Sequence, residues 1–234
     1  MKLSKPHLLV LSGAVLAAMV YLSPPAVAEK AVPIPPPGAA ALQGVAAATQ
    51  ATASAVFAGG CFWGIQAVFQ HTKGVLGAVS GYAGGEQKDA DYGKVSSGGS
   101  GHAESVEVTF DPKQISYGQL LQIYFSVAHD PTQLNRQYPD VGTQYRSAVF
   151  YKDADQKLVV ERYISQLDGA KVFPGKIVTQ VTALKAFYAA EKYHQNYATL
   201  HPESGYIAQF DLPKIANLKT MMPDIYREQP VLVK

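Results

Sequence analysis

Ala55-Val56-Phe57-Ala58-Gly59-Gly60-Cys61-Phe62-Trp63-Gly64-Ile65-Gln66-Ala67-Val68-Phe69-Gln70 changes its period part-way along. The run Ala55 to Ala58 reads as a short apolar strand. Gly59-Gly60 ends it. From Phe62 onward, Phe62, Ile65, Val68 and Phe69 recur at helical spacing. The segment is strand, glycine turn, helix. Cys61 stands at the junction.

The same alternation continues outward. Val75 to Ser80 reads as a second strand, closed by Gly81-Tyr82-Ala83-Gly84-Gly85, and a glycine- and serine-rich loop runs on to about Gly101. Glu104 to Phe110 alternates: Val106, Val108 and Phe110 on one face, Ser105, Glu107 and Thr109 on the other. Ser116 and Gln119 make a capping box, with Ile115 and Leu120 placed as a hydrophobic staple. Leu120, Leu121, Tyr124 and Phe125 form the buried face of that helix. Tyr145 to Tyr151 reads as a strand. Asp153 and Gln156 open a helix that stops at Gly169. Lys176 to Val181 reads as a further strand and Ala189 to about Tyr197 as a helix. The tail beyond Gly205 has weak periodicity. Strands and helices in this order predict a mixed α/β or α+β domain, with helices packed on a sheet.

The chain has 234 residues, 47% of them hydrophobic and 16% charged, ordinary for a globular protein. Residues 1–28 have Lys2 and Lys5, an apolar run from Leu8 to Leu22, Pro24-Pro25 and then Ala26-Val27-Ala28. This is the pattern of a cleaved secretory signal; an uncleaved membrane anchor is the competing reading. The protein is expected to be exported, periplasmic or secreted. Two of the 20 basic residues lie in that segment and none of the 18 acids, so the remainder is balanced in charge. No nucleic-acid footprint is present. Residues 29–53, with Pro33-Ile34-Pro35-Pro36-Pro37-Gly38, read as an extended Ala/Pro tether. The catalytic domain is expected over residues 54–234, as a monomer.

One cysteine in an exported chain cannot form an internal disulfide. It is either packed and inert or held free for chemistry. Cys61 lies at the start of a helix, where backbone N–H groups favour thiolate over thiol. Phe62 and Trp63 set apolar surface beside it. Glu104 is in phase with Val106, Val108 and Phe110, so it begins the inward face of its strand. A carboxyl there tends to keep its proton and can donate it.

Gly60-Cys61-Phe62-Trp63-Gly64 resembles the active-site signature of the A-type peptide methionine sulfoxide reductases. The resemblance continues in order through Gly81-Tyr82-Ala83-Gly84-Gly85, Gly101-His102-Ala103-Glu104, His129-Asp130-Pro131, Gly142-Thr143-Gln144-Tyr145-Arg146-Ser147, Phe187-Tyr188-Ala189-Ala190-Glu191 and Tyr193-His194-Gln195. It implies an α+β fold, a mixed β-sheet of ferredoxin-like type with packed helices. It implies reduction of the S epimer of methionine sulfoxide, free or in oxidised proteins. It implies Cys61 as the attacking cysteine and Glu104 as the acid. Tyr82 and Tyr145 would bind the sulfoxide oxygen, Phe62 and Trp63 would cradle the substrate methyl, and Asp140 would belong to the substrate and water network.

The chain departs from the family in having no second cysteine; Ser97 stands where some relatives have one. An outside thiol is therefore expected as reductant, a thioredoxin-like protein or glutathione. No bound cofactor is expected. No metal is expected either, since the six histidines show no metal-ligand spacing with Cys61. Val141 replaces the family's histidine before Gly142. His102 is expected to orient a loop, and His129 and His194 to be structural. A cysteine peptidase or acyltransferase is the rival enzyme reading; it needs a histidine base beside Cys61. A binding domain with a buried cysteine is the rival outside enzymes.

Overall fold

The structure, a computed structural model, describes residues 30–44 and 50–234, so the expected signal over residues 1–28 lies outside the described residues. In chain order the elements are α1 (Ala39–Leu42), β1 (Ala53–Ala58), α2 (Phe62–Gln70), β2 (Val75–Ala83), α3 (Tyr92–Ser96), β3 (Ala103–Phe110) and α4 (Tyr117–Ile123). A π-helical turn follows over Tyr124–Ala128. Then come β4 (Arg136–Gln137), β5 (Asp140–Val141), β6 (Ala148–Tyr151), α5 (Ala154–Gly169), β7 (Gln180–Ala183), β8 (Phe187–Ala189) and α6 (Tyr197–Leu200). A second π-turn (Ile207–Asp211) leads into α7 (Leu212–Met221).

The main sheet runs β7-β6-β1-β3-β2-β8. Its inner four strands are antiparallel, and β1-α2-β2-β3-α4-β6 in that spatial order is the split βαβ arrangement of ferredoxin-like folds. The edge strand β7 pairs parallel to β6, with α5 as crossover, and β8 pairs antiparallel to β2. The expected α+β architecture with a mixed sheet is the one observed. β1 is central and its last four residues are buried, which is why Ala55 to Ala58 are small or apolar throughout.

Phe57 faces the helices, packing 5.2 Å from Phe69 of α2 and 5.0 Å from Tyr124 (ring centroids). Val106, Val108 and Phe110 of β3 line the same core. The opposite face packs Val56 and Ala58 against Phe150 and Phe187. α4 starts with the expected capping box of Ser116 and Gln119. At α5 the Asp153 side chain caps the Gln156 N–H, while the Gln156 side chain accepts from Lys152 instead of from Asp153.

Three local expectations are corrected. Residues 30–43 do not form a free tether. Ile34 enters the core, Ser126 exchanges hydrogen bonds with Val32, and the Tyr163 hydroxyl donates to the Pro35 carbonyl at 2.6 Å. Arg162 and Gln166 reach other carbonyls of the same strap. The strand expected from Lys176 starts only at Gln180. The helix expected from Ala189 to Tyr197 is absent: Phe187–Ala189 completes the sheet edge, and Asn196 turns left-handed at φ 59°. Buried side chains set that turn. Gln195 bonds to Ser80 and Gln66, and the Asn196 N–H donates to Gln66.

Candidate active site

β1 and β2 run out, and β3 begins, at one end of the sheet. Gly60 turns the chain there at φ +97°, and a Cβ on it would lie 2.6 Å from the Gln137 side chain. Only glycine fits both the left-handed turn and that approach. Cys61 is then the N-cap residue of α2 and is 9% exposed. Burial pushes its thiol well above the ordinary range, and Glu104 and Asp211 add to the shift; the Trp63 N–H opposes them and is outweighed. The resting thiol thus keeps its proton. This corrects the expectation that the helix start makes a thiolate: desolvation, reinforced by the acidic groups of Glu104 and Asp211, exceeds the helix-end effect.

Glu104 pairs across the sheet with Tyr82, so both side chains project to the same face. Glu104 is 2% exposed, and its Oε2 accepts from the Phe62 N–H at 3.1 Å. Burial raises its carboxyl to about 8; the Phe62 N–H lowers it, while Asp140 and Asp211 raise it further. A carboxylic acid that keeps its proton near neutral pH therefore lies against the residue after Cys61.

Tyr82 is fully buried and its hydroxyl donates to Glu191 Oε2 at 2.9 Å. The other Glu191 oxygen accepts from the Tyr92 N–H at 3.0 Å. Burial pushes Glu191 up, but these donors outweigh it and hold the group below its usual range. Tyr145 ends a short 3-10 turn, Thr143–Tyr145. Burial raises its hydroxyl, and the charges of Glu104, Asp140 and Cys61 add to that rise.

Phe62 and Trp63 meet with ring centroids 6.5 Å apart. Trp63 stacks on Tyr197 at 3.9 Å, and its indole N–H donates to His194 Nδ1 at 3.2 Å. Tyr206 packs edge-on to Trp63 at 6.1 Å, and its hydroxyl donates to Asp140 Oδ2. Burial raises Asp140, opposed by Tyr206 and Lys214. Aromatic rings and a cluster of hydroxyls and carboxyls thus meet next to Cys61, with Tyr206 touching both Trp63 and Asp140.

The profile of the family described as peptide methionine sulfoxide reductase matches residues 53–224. The chain belongs to this family. It is 59% identical over 180 residues to peptide methionine sulfoxide reductase MsrA 2 of Mesorhizobium japonicum, covering 77% of this chain and 92% of that one. Among solved structures it is similar to reduced Mxr1 of Saccharomyces cerevisiae, with TM-score 0.61, 31% identity and coverage of 69% and 92% of the two chains. It is also similar to methionine sulfoxide reductase A of Corynebacterium diphtheriae, with TM-score 0.56, 33% identity and coverage of 74% and 85%.

Three of the described histidines have structural partners. His102 accepts from the Gly85 N–H at Nδ1 and donates from Nε2 to the Glu86 carbonyl, which holds the glycine-rich loop. His129 bonds Tyr124 O and Ser147, and burial lowers it to about 4, so it is neutral. His194 holds Trp63. Five further residues reach the site: Gln137 under Gly60, Glu191, Tyr206, Asp211 and Lys214. Glu191 stood in a quoted motif without a role. The last three lie in the tail, where periodicity carried no signal; buried charges at Asp211 and Lys214, three residues apart, were the one available clue.

Proposed function

We propose that the protein reduces the S epimer of methionine sulfoxide to methionine, in oxidised peptides and proteins and as the free amino acid. One observation carries the mechanism: a buried, protonated Glu104 held against the backbone N–H of Phe62, beside Cys61. Sulfoxide sulfur is a poor electrophile until its oxygen gains positive neighbours. Glu104 gives its proton to that oxygen, and Tyr82 and Tyr145 donate hydrogen bonds to it. Tyr82 turns its hydroxyl from Glu191 to do so. Phe62 and Trp63 take the substrate's methyl group, and Asp140 orders the polar end. Cys61 sulfur supplies two electrons and takes the oxygen, becoming sulfenic acid, while methionine leaves. Fixed donors on one side and an aromatic pocket on the other select one epimer.

With one cysteine in the chain, two equivalents of an outside thiol return Cys61 to its thiol, forming a disulfide and water. A thioredoxin-like protein or glutathione is the reductant. The leader over residues 1–28 makes this an exported, periplasmic or secreted enzyme. Separated S and R epimers of a methionine sulfoxide peptide test the reading. Loss of the S epimer alone, abolished in Cys61→Ser, is expected; loss of the R epimer, or none with Cys61 reactive, overturns it.

A further inference from the structure

Asp211 and Lys214 open α7. Lys214 Nζ lies 3.4 Å from Asp211 Oδ1, and the side chains are 7% and 0% exposed. A buried ion pair adds little net stability, because desolvation offsets the attraction. Its position is more informative. A Cβ on Gly64 would lie 2.1 Å from Asp211 Oδ1 and 3.1 Å from Lys214 Nζ. The pair therefore presses on the first turn of α2, the turn that Cys61 caps. The π-turn Ile207–Asp211 ends at Asp211, while Tyr206 just before it bonds Asp140. Asp211 Oδ2 is buried with no hydrogen-bond partner. An unmet carboxylate oxygen is expensive to bury and persists where a site uses it.

We propose that Asp211, held by Lys214, is a positioning residue of this reaction: packed beneath the first turn of α2, it governs when Cys61 becomes reactive. This rests on the reading of Cys61 and Glu104 given above. The groups that share the space are Cys61 from the turn before α2, Glu104 from β3, Asp140 from β5 with its Tyr206 hydroxyl, and Lys214. Asp211 bears on Cys61, Glu104 and Tyr206. Lys214 bears on Asp211, Asp140 and the neutral His129. The resting enzyme then guards its thiol against casual oxidation. Bound sulfoxide, whose oxygen accepts the proton, releases it.

The test reads Cys61 directly, by the pH dependence of its alkylation by iodoacetamide in the full chain. This readout is independent of sulfoxide turnover, so it survives failure of the proposed activity. In Asp211→Asn the alkylation limb moves down by roughly one pH unit. The alkaline limb of kcat moves down with it, while KM for the sulfoxide peptide changes little. The double variant Asp211→Asn/Lys214→Gln removes both charges of the pair and serves if the single variant does not fold. Its limb falls as well, because Asp211 bears on Cys61 directly. Folded variants whose alkylation and kcat limbs stay at the wild-type pH overturn the proposal and leave the pair a packing element.

Discussion

The backbone N–H of Phe62 donates to Glu104 Oε2 at 3.1 Å, joining the first residue of α2 to the start of β3. That bond does two things. It fixes the carboxyl beside Cys61, and it leaves the other carboxyl oxygen to carry a proton. Burial is the stronger influence and keeps the group protonated up to about 8.

Glu104→Gln removes the proton and keeps the acceptor for Phe62. Turnover of the S epimer is expected to fall roughly 100- to 1,000-fold. Alkylation of Cys61 persists. In the wild type, kcat is expected to decline as pH rises through about 8, because the acid form is lost there. A kcat–pH profile flat from neutral to well above that value removes Glu104 from the role of acid.

The same substitution changes stability in the opposite sense. Below its ordinary pKa, Glu104 is protonated folded or unfolded, and no penalty arises. Between that value and about 8, the unfolded chain ionises while the folded one holds its proton, so stability falls as pH rises. Above about 8 the penalty is complete. Glu104→Gln, which has no charge to bury, is therefore expected to be more stable than wild type at alkaline pH by up to about 5 kcal/mol. The difference should vanish in acid. Thermal unfolding of both proteins across pH measures it.

The sequence made Cys61, Glu104 and the aromatic pair legible because each combined a chemical residue with a local pattern: a glycine turn, an inward strand phase, a motif. The thiol's protonation was not legible. Local reading saw the helix start but not Asp211, which arrives from α7, nor the desolvation by the packed domain. The strap was misread for a related reason. Its prolines and alanines give no periodic signal, and its anchors are backbone carbonyls reached by Tyr163, Gln122, Gln166 and Arg162. The apolar run Phe187-Tyr188-Ala189 suits a helix or an edge strand equally; pairing with β2 decides for the strand.

The strap is expected to contribute measurably to stability. Ile34 is 8% exposed within the core, so Ile34→Ala should destabilise the fold by about 2 kcal/mol. That corresponds to a Tm about 4–8 °C lower. Turnover at a temperature where the variant is folded should match wild type. An unchanged Tm would return residues 30–43 to the status of a tether.

Gly60→Ala forces a side chain into the left-handed region and against Gln137, which would stand 2.6 Å away. Strain in that turn displaces Cys61, so activity should fall on the order of tenfold or more, with a loss of stability of about 2 kcal/mol. Gly77→Ala is the control, since a Cβ there meets nothing within 4 Å. Equal behaviour of the two variants would mean that the turn at Gly60 is not what places Cys61.

A single cysteine sets the stoichiometry of turnover. The enzyme without added thiol should reduce about one equivalent of S-epimer peptide and stop, because the Cys61 sulfenic acid meets no second cysteine in this sequence. Mass spectrometry of the stopped enzyme should find one added oxygen on Cys61, or a mixed disulfide once a thiol is supplied. Added dithiol, glutathione or a reduced thioredoxin-like protein should restart the reaction, and their relative rates rank the reductants. Continued turnover without any thiol would require a reductant other than a thiol and would overturn this part of the mechanism.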